Sequence, residues 1–208
     1  MDTLKYIYER FGIDKTAKSP IEIMRSREGA FPKLINNLGF KVGAEIGIAT
    51  GYYSKHLCHY CPNLKLYSID AWELFSGCTN NETKEIMDQL YKTARENLAG
   101  TNCQIIRDWS INAVKRFADK SLDFVYIDGA HDYKNVYQDI REWSKKVRRG
   151  GIIGGHDYND PSSLGKKGYY KEVYDVKSAV NDWVKENKIN PLFLLVKVNC
   201  RSWFYVKG

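Results

Sequence analysis

Val42-Gly43-Ala44-Glu45-Ile46-Gly47-Ile48-Ala49-Thr50-Gly51 runs from an apolar stretch into two glycines, and Tyr52-Tyr53-Ser54-Lys55-His56-Leu57 follows at once with helical spacing. The pattern is a strand over 42–48, a tight turn, and a helix over 52–61. The same alternation then repeats downstream. Strands are expected at 64–70, 103–107, 122–128 and 151–155, with helices at about 81–98, 110–118 and 133–147 between them. Regular alternation of this kind makes a parallel sheet with helices on both faces.

The last third reads as a helix over 171–187 followed by two apolar runs, Leu192 to Val198 and Ser202 to Val206. Only Asn199-Cys200-Arg201 separates the runs, so they join antiparallel neighbours. Upstream, Leu4 to Phe11 and Ile21 to Leu38 read as helices, with Ser19-Pro20 as cap and first turn of the second. The expected architecture is a Rossmann-like, doubly wound, mostly parallel seven-stranded sheet ending in an antiparallel hairpin strand. Residues 1–40 form an N-terminal helical cap and 41–208 the core of one domain.

Bulk composition agrees with a folded enzyme-sized domain. Of the 208 residues, 43% are hydrophobic and 13% aromatic, enough for a sizeable core without staples. Five irregularly spaced cysteines argue for reduced thiols rather than a disulfide framework. No long apolar run and no signal-peptide pattern is present, so a cytoplasmic location and no membrane partner are expected. A net charge of +7 and a pI near 9.0 raise the question of nucleic acid. The densest basic run, Lys145-Lys146 with Arg148-Arg149, sits where cations meet a helix C-terminal dipole, so nucleic acid is disfavoured as a partner.

In a doubly wound sheet the ligand lies beyond the carboxyl ends of the strands. After the first strand, Gly47 and Gly51 let the backbone turn sharply and approach a ligand at a helix N-terminus. The spacing is neither that of a dinucleotide fingerprint nor that of a phosphate loop. The second strand ends in Asp70, a carboxylate able to accept both hydroxyl hydrogens of a ribose. A glycine turn paired with an acid at the next strand tip suits a nucleoside without demanding a phosphate. With these residues the chain resembles the class I S-adenosylmethionine-dependent methyltransferases, whose first motif reads like Glu45-Ile46-Gly47-x-x-x-Gly51 and whose second is an acid such as Asp70.

Two further segments sharpen the likeness: Ile127-Asp128-Gly129-Ala130-His131-Asp132-Tyr133, and Gly154-Gly155-His156-Asp157-Tyr158. They resemble the branch of that family reading IDG-x-H-x-Y followed by GG…HDY, which includes enzymes methylating sugar hydroxyls and related small metabolites, some with a divalent cation. The resemblance spans about residues 42–158. It implies that Gly47 and Asp128 flank the methionine end of S-adenosylmethionine, that Asp70 takes the ribose, and that Glu45 and Gly51 of the first motif belong to the cofactor site. Asp108 and Trp109 would meet the adenine, with Trp72 as a comparable contact.

Methyl transfer to a hydroxyl is an in-line displacement that needs a proton removed, so His131 and His156 are candidate general bases beside Asp128. A magnesium-like ion on Asp128 and Asp157, with Asp132 nearby, is the other way to activate the hydroxyl. Related cation-dependent enzymes carry two adjacent acids where this chain has His156-Asp157. His56-Leu57-Cys58-His59-Tyr60-Cys61 has zinc-like residue types, but Tyr53, Leu57, Tyr60, Cys61 and Leu64 recur as one buried helix face.

Specificity is expected in the N-terminal helices, in Trp72 to Asn81, and in Asn159 to Tyr170 with Lys166, Lys167, Tyr169 and Tyr170, groups suited to a sugar bearing a carboxylate or phosphate. The function expected is methyl transfer to a small-molecule acceptor by an enzyme that can form a homo-oligomer. The rivals are an RNA methyltransferase, a non-catalytic nucleoside-binding protein that keeps the fold, and a nicotinamide-dependent reductase, the last opposed by the glycine spacing.

Overall fold

A computed structural model describes residues 2–74, 83–160, 174–198 and 200–208. Its strands are β1 (Ile21–Ile23), β2 (Val42–Ile46), β3 (Lys65–Asp70), β4 (Cys103–Arg107), β5 (Leu122–Ile127), β6 (Val147–Gly155), β7 (Phe193–Leu195) and β8 (Ser202–Val206). They form one sheet in the order β1-β7-β8-β6-β5-β2-β3-β4. β8 runs antiparallel to both neighbours, and every other pairing is parallel. The helices are α1 (Thr3–Phe11), α2 (Arg27–Asn37), α3 (Tyr52–Tyr60), α4 (Lys84–Leu98), the short α5 (Ser110–Ala113), α6 (Tyr133–Lys146) and α7 (Val176–Glu186).

The period of two along the central strands sorts side chains onto two faces. Val125 and Ile127 of β5 join Val136, Ile140 and Trp143 of α6 and Ala179 and Val180 of α7 on one face. Phe124 and Tyr126 of the same strand join Ile7 of α1, Phe31 and Ile35 of α2 and Leu57 of α3 on the other. A smaller cluster of Ile48, Trp72, Met87, Ala94 and Leu98 seats α4 beside the glycine turn.

The helix expected over Ile21 to Leu38 is instead a strand followed by a helix, and the sheet has an eighth strand. Ile21-Glu22-Ile23 alternates buried, exposed, buried, and pairs with β7 in the register Ile21↔Phe193. Ser19 does not cap a helix: its hydroxyl accepts from Leu192 N at 2.9 Å and so ties the chain to the start of β7. Ser26 is the cap of α2, accepting from Gly29 N. Pro32 lies inside α2 and has no N–H to offer the Glu28 carbonyl one turn back. His56 Nε2 fills that gap at 2.9 Å, which fixes the proton on that nitrogen. The first forty residues are thus built into the sheet and its packing rather than laid over it.

The basic run at the α6–β6 junction is answered within the chain. Lys145 pairs with Glu142 and Lys146 with Asp119, both at 2.7 Å, and Arg148 with Asp123 at 2.6 Å.

Candidate active site

β3 and β4 lie on one side of β2 while β5 and β6 lie on the other, so the chain order reverses between β2 and β5. That reversal opens a crevice at the carboxyl ends of the two strands. Gly47 stands there with φ +80°, and a Cβ on it would come within 2.2 Å of the Asp128 carbonyl oxygen. Only glycine satisfies both the left-handed backbone and the approach. Gly51, φ +72°, ends the turn, and a Cβ there would meet Leu98 Cδ1 at 3.0 Å. Main-chain bonds knit the tips together: Gly47 N donates to Ile69 O at 2.8 Å and Asp128 N to Ile46 O at 2.7 Å.

Asp70 is joined to the same turn. Its Oδ2 accepts from Ile48 N at 3.0 Å and Ala49 N at 2.9 Å, and its Oδ1 from Trp72 N at 2.9 Å. These bonds hold two non-glycine residues at positive φ, Ala49 at +46° and Trp72 at +47°. Burial raises the Asp70 pKa above the usual carboxylate value, and the backbone donors oppose that rise. A carboxylate has about four acceptor positions, so three are committed to the turn and little is left for a sugar diol.

Trp72 does not present the open purine-stacking face expected of it. Its positive φ folds the indole back onto the turn, where Nε1 donates to Ala49 O at 2.9 Å and the ring, 3% exposed, packs against Tyr91. Trp109 is the exposed aromatic at this edge, at 37%, and its Nε1 donates to Glu73 Oε2 at 3.0 Å across the tips of β3 and β4. Asp108 is paired with Arg116. Glu45 sits beneath the turn, buried, where its Oε2 accepts from Ser54 Oγ at 2.6 Å and Ser54 in turn meets Ser68 Oγ at 2.7 Å. Burial pushes its carboxyl up to about 8, so at neutral pH it is an uncharged prop of the β2–α3 junction.

Across the crevice, the tips of β5 and β6 carry a charged cluster. His131 Nε2 lies 2.9 Å from Asp157 Oδ2 and 3.9 Å from Asp128 Oδ1. His156 Nδ1 lies 3.3 Å from Asp157 Oδ2 and 3.8 Å from Asp128 Oδ1. Burial works against a charged His131, but hydrogen bonds to Asp128 and Asp157 win and hold its pKa at about 9. Burial would raise Asp157, yet the two imidazoles keep it well below the ordinary carboxylate value. Tyr174 stacks on His131 with centroids 4.6 Å apart.

The residue that sequence reasoning missed is Arg27. It reaches from the first turn of α2 to Asp128 Oδ2, Nη1 to oxygen 2.7 Å, with its guanidinium 4.5 Å above the Tyr53 ring. Read within a helix over Ile21 to Leu38, Arg27 carried no signal in the sequence; only the observed start of α2 puts its cation in a first turn, against the dipole.

Asp128, His131 and Asp157 offer ligand atoms within 4.8 Å of one another. The two carboxylates suit a hard cation, but Arg27 Nη1 already lies 2.7 Å from Asp128 Oδ2 and His131 Nε2 2.9 Å from Asp157 Oδ2. A divalent ion would have to displace the His131 contact and face a permanent guanidinium. The expected placing of an ion on Asp128 and Asp157 therefore does not fit these side chains as they stand. Asp132 is committed elsewhere, as the α6 cap accepting from Asn135 N at 3.1 Å. In the zinc-like segment, His56 is bound to the Glu28 carbonyl, Cys61 Sγ donates to Pro32 O at 3.3 Å, and Cys58 is buried. The specificity candidates Lys166, Lys167, Tyr169 and Tyr170, and most of the stretch after Leu74, lie outside the described residues.

Residues 44–158 match the family described as "Methyltransferase domain". The chain is 35% identical over 72 residues to an uncharacterized protein of Acanthamoeba polyphaga mimivirus, a match that spans 33% of each. Among solved structures, a candidate caffeoyl-CoA O-methyltransferase from Staphylococcus aureus aligns with TM-score 0.66 at 17% identity, over 99% of this chain and 90% of that one. An O-methyltransferase from Bacillus cereus in complex with S-adenosylhomocysteine aligns with TM-score 0.62 at 14% identity, over 99% and 89%. At these identities the structural likeness speaks to the fold. Among the described residues, no helix is long and apolar enough to cross a membrane.

Proposed function

The chain belongs to the methyltransferase-domain family and takes its methyl group from S-adenosylmethionine; from that premise we propose that it methylates a hydroxyl of a small metabolite, a sugar or a related polyol. The observation that carries this reading is the pairing of a nucleoside-sized turn with a base cluster at one topological switch point: Gly47 lies against the Asp128 backbone, and His131 and His156 share Asp157 beside it. The wording of the IDG-x-H-x-Y and GG…HDY motifs supports a hydroxyl acceptor.

S-adenosylmethionine supplies a methyl group on a sulfonium, and its transfer to a hydroxyl oxygen releases one proton. In this reading the glycine turn and the Asp128 main chain orient the methionine end, and Trp109 and Asp108 border the adenine. In its neutral form His131 keeps Nε2–H on Asp157 and takes the proton at the other ring nitrogen, Nδ1, with Asp128 and Asp157 stabilising the imidazolium that forms. Asp157, between the two histidines, sets which ring nitrogen faces the acceptor. Because Arg27 and His131 already satisfy the carboxylates, no divalent ion takes part, and turnover after dialysis against EDTA should be unchanged.

Calorimetry with S-adenosylmethionine, S-adenosylhomocysteine and NAD tests the cofactor reading: the two sulfur nucleosides should bind and the dinucleotide should not. A methyl-transfer assay over sugars, sugar phosphates, catechols and RNA then tests the acceptor. Methylation of RNA alone, or of amines in preference to hydroxyls, would overturn the acceptor assignment while leaving the cofactor site intact.

A further inference from the structure

Between α1, α2 and the end of β7 lies a cleft of about 200 Å³. Arg10, in the last turn of α1, Arg25, just before α2, Lys33, on α2, and Lys197, just after β7, surround it, and Phe11 and Leu34 line its apolar part. The backbone holds two of these segments together, since Lys197 N donates to Arg25 O at 3.2 Å.

The nearby carboxylates are spent on other cations. Glu9 faces Lys5 at 3.9 Å, Glu28 faces Arg27 at 3.2 Å, and Glu22 faces Arg201 at 3.4 Å. Among the described residues, none of the four cleft cations has a carboxylate within ion-pair distance. Arg25 turns Nη1 only to the Met24 carbonyl, at 2.9 Å. Four like charges around one concavity repel each other and focus a positive potential into it. The N-terminus of α2, an eleven-residue helix, opens beside the same space and adds its positive dipole end.

We propose that this cleft binds the phosphate or pyrophosphate group of a small molecule. A dianion or trianion matches four cations where a single carboxylate would leave charge unanswered, and the two guanidinium forks suit tetrahedral oxygens. The gathering of four cations around one concavity favours a compact phosphate over a nucleic-acid strand, which needs cations spaced along a track. The site stands on its own geometry and does not depend on the methyl-transfer reading.

The test is calorimetry on the full chain at low ionic strength with inorganic phosphate, pyrophosphate, glucose 1-phosphate and poly(U). Saturable binding of at least one small phosphate is expected, weakened by at least about tenfold in R25Q/K33Q, the scale of losing two charge-assisted contacts. K92Q/K185Q, which removes the same charge from exposed positions on α4 and α7, should keep the affinity of the unmodified chain. Tighter binding of glucose 1-phosphate than of inorganic phosphate assigns the group to an organic ligand, and equal binding assigns it to the free ion; both support the site. Binding of none of the small phosphates, equal losses in the two double variants, or binding of poly(U) alone overturns it. Circular dichroism checks folding, and R10Q/K197Q repeats the measurement if R25Q/K33Q fails to fold.

Discussion

The two halves of the crevice are built from different materials. On the β2–β3 side, Gly47, Asp70, Ala49 and Trp72 are fixed by hydrogen bonds to main-chain groups. On the β5–β6 side, Asp128, His131, His156 and Asp157 are fixed by charge, and the cluster draws its fifth member, Arg27, from 101 residues away. The first half is a rigid mould for a ligand common to a large family, and the second is an electrostatic balance that single substitutions and pH can tip. Binding and turnover should therefore separate experimentally along the line between β2 and β5.

The sharpest separation should come from His131→Ala. Removing the proposed base should lower turnover by roughly 10²–10⁴-fold, while calorimetry with S-adenosylhomocysteine shows binding retained. In the unmodified enzyme the pH–rate profile should rise towards an apparent pKa of about 9, because the two carboxylates keep His131 protonated until then. A limb near the ordinary histidine value of about 6.5 would move the base role to another group.

Gly47→Ala attacks the mould. The added methyl would lie 2.2 Å from the Asp128 carbonyl on a backbone with φ +80°. A loss of about 2–4 kcal/mol in unfolding free energy, together with loss of nucleoside binding, is expected. A variant that melts normally and still binds S-adenosylhomocysteine would mean that the turn is not where the ligand sits.

Asp70→Ala should be milder. It frees three main-chain donors and loosens the turn. Cofactor affinity should fall by about 2 kcal/mol, roughly thirtyfold, with turnover at saturation nearly preserved. Unchanged affinity would remove Asp70 from cofactor binding.

Glu45→Gln should have the smallest effect on cofactor binding and turnover and a distinctive pH dependence of stability. The folded-state pKa of Glu45, about 8, lies above its unfolded value, so the folded chain holds a proton that the unfolded chain has released. Its contribution is therefore fully present below the unfolded pKa, near 4.3, and is lost as pH rises through about 8. Thermal melts from pH 5 to 9 should show a flatter profile for the glutamine variant, which is on the order of a few kcal/mol more stable than the unmodified chain at the alkaline end. Parallel profiles would show that the carboxyl is not protonated in the folded protein.

The same contrast explains what the sequence disclosed. The alternation of strands and helices, the Gly47–Gly51 turn and the acids at 70 and 128 are local patterns, and the structure brings all of them to one edge of the sheet. Trp72 was misjudged because its orientation depends on a positive φ, which its position two residues after an acid does not announce. β1 escaped because three residues carry too little pattern to stand apart from the helix that follows, and its strand geometry comes from pairing with β7. Arg27 escaped because its meaning lies wholly in a partner beyond the reach of any local window.

The pairing of Ile21 with Phe193 has a consequence for biosynthesis. During translation the segment at 21–23 emerges early and must wait, unpaired, until the ribosome has released the residues around 193–195. Its edge is exposed throughout that interval, the condition under which nascent chains enlist chaperones or associate wrongly. The edge of the sheet beside the basic cleft is thus among the last parts of the molecule to close.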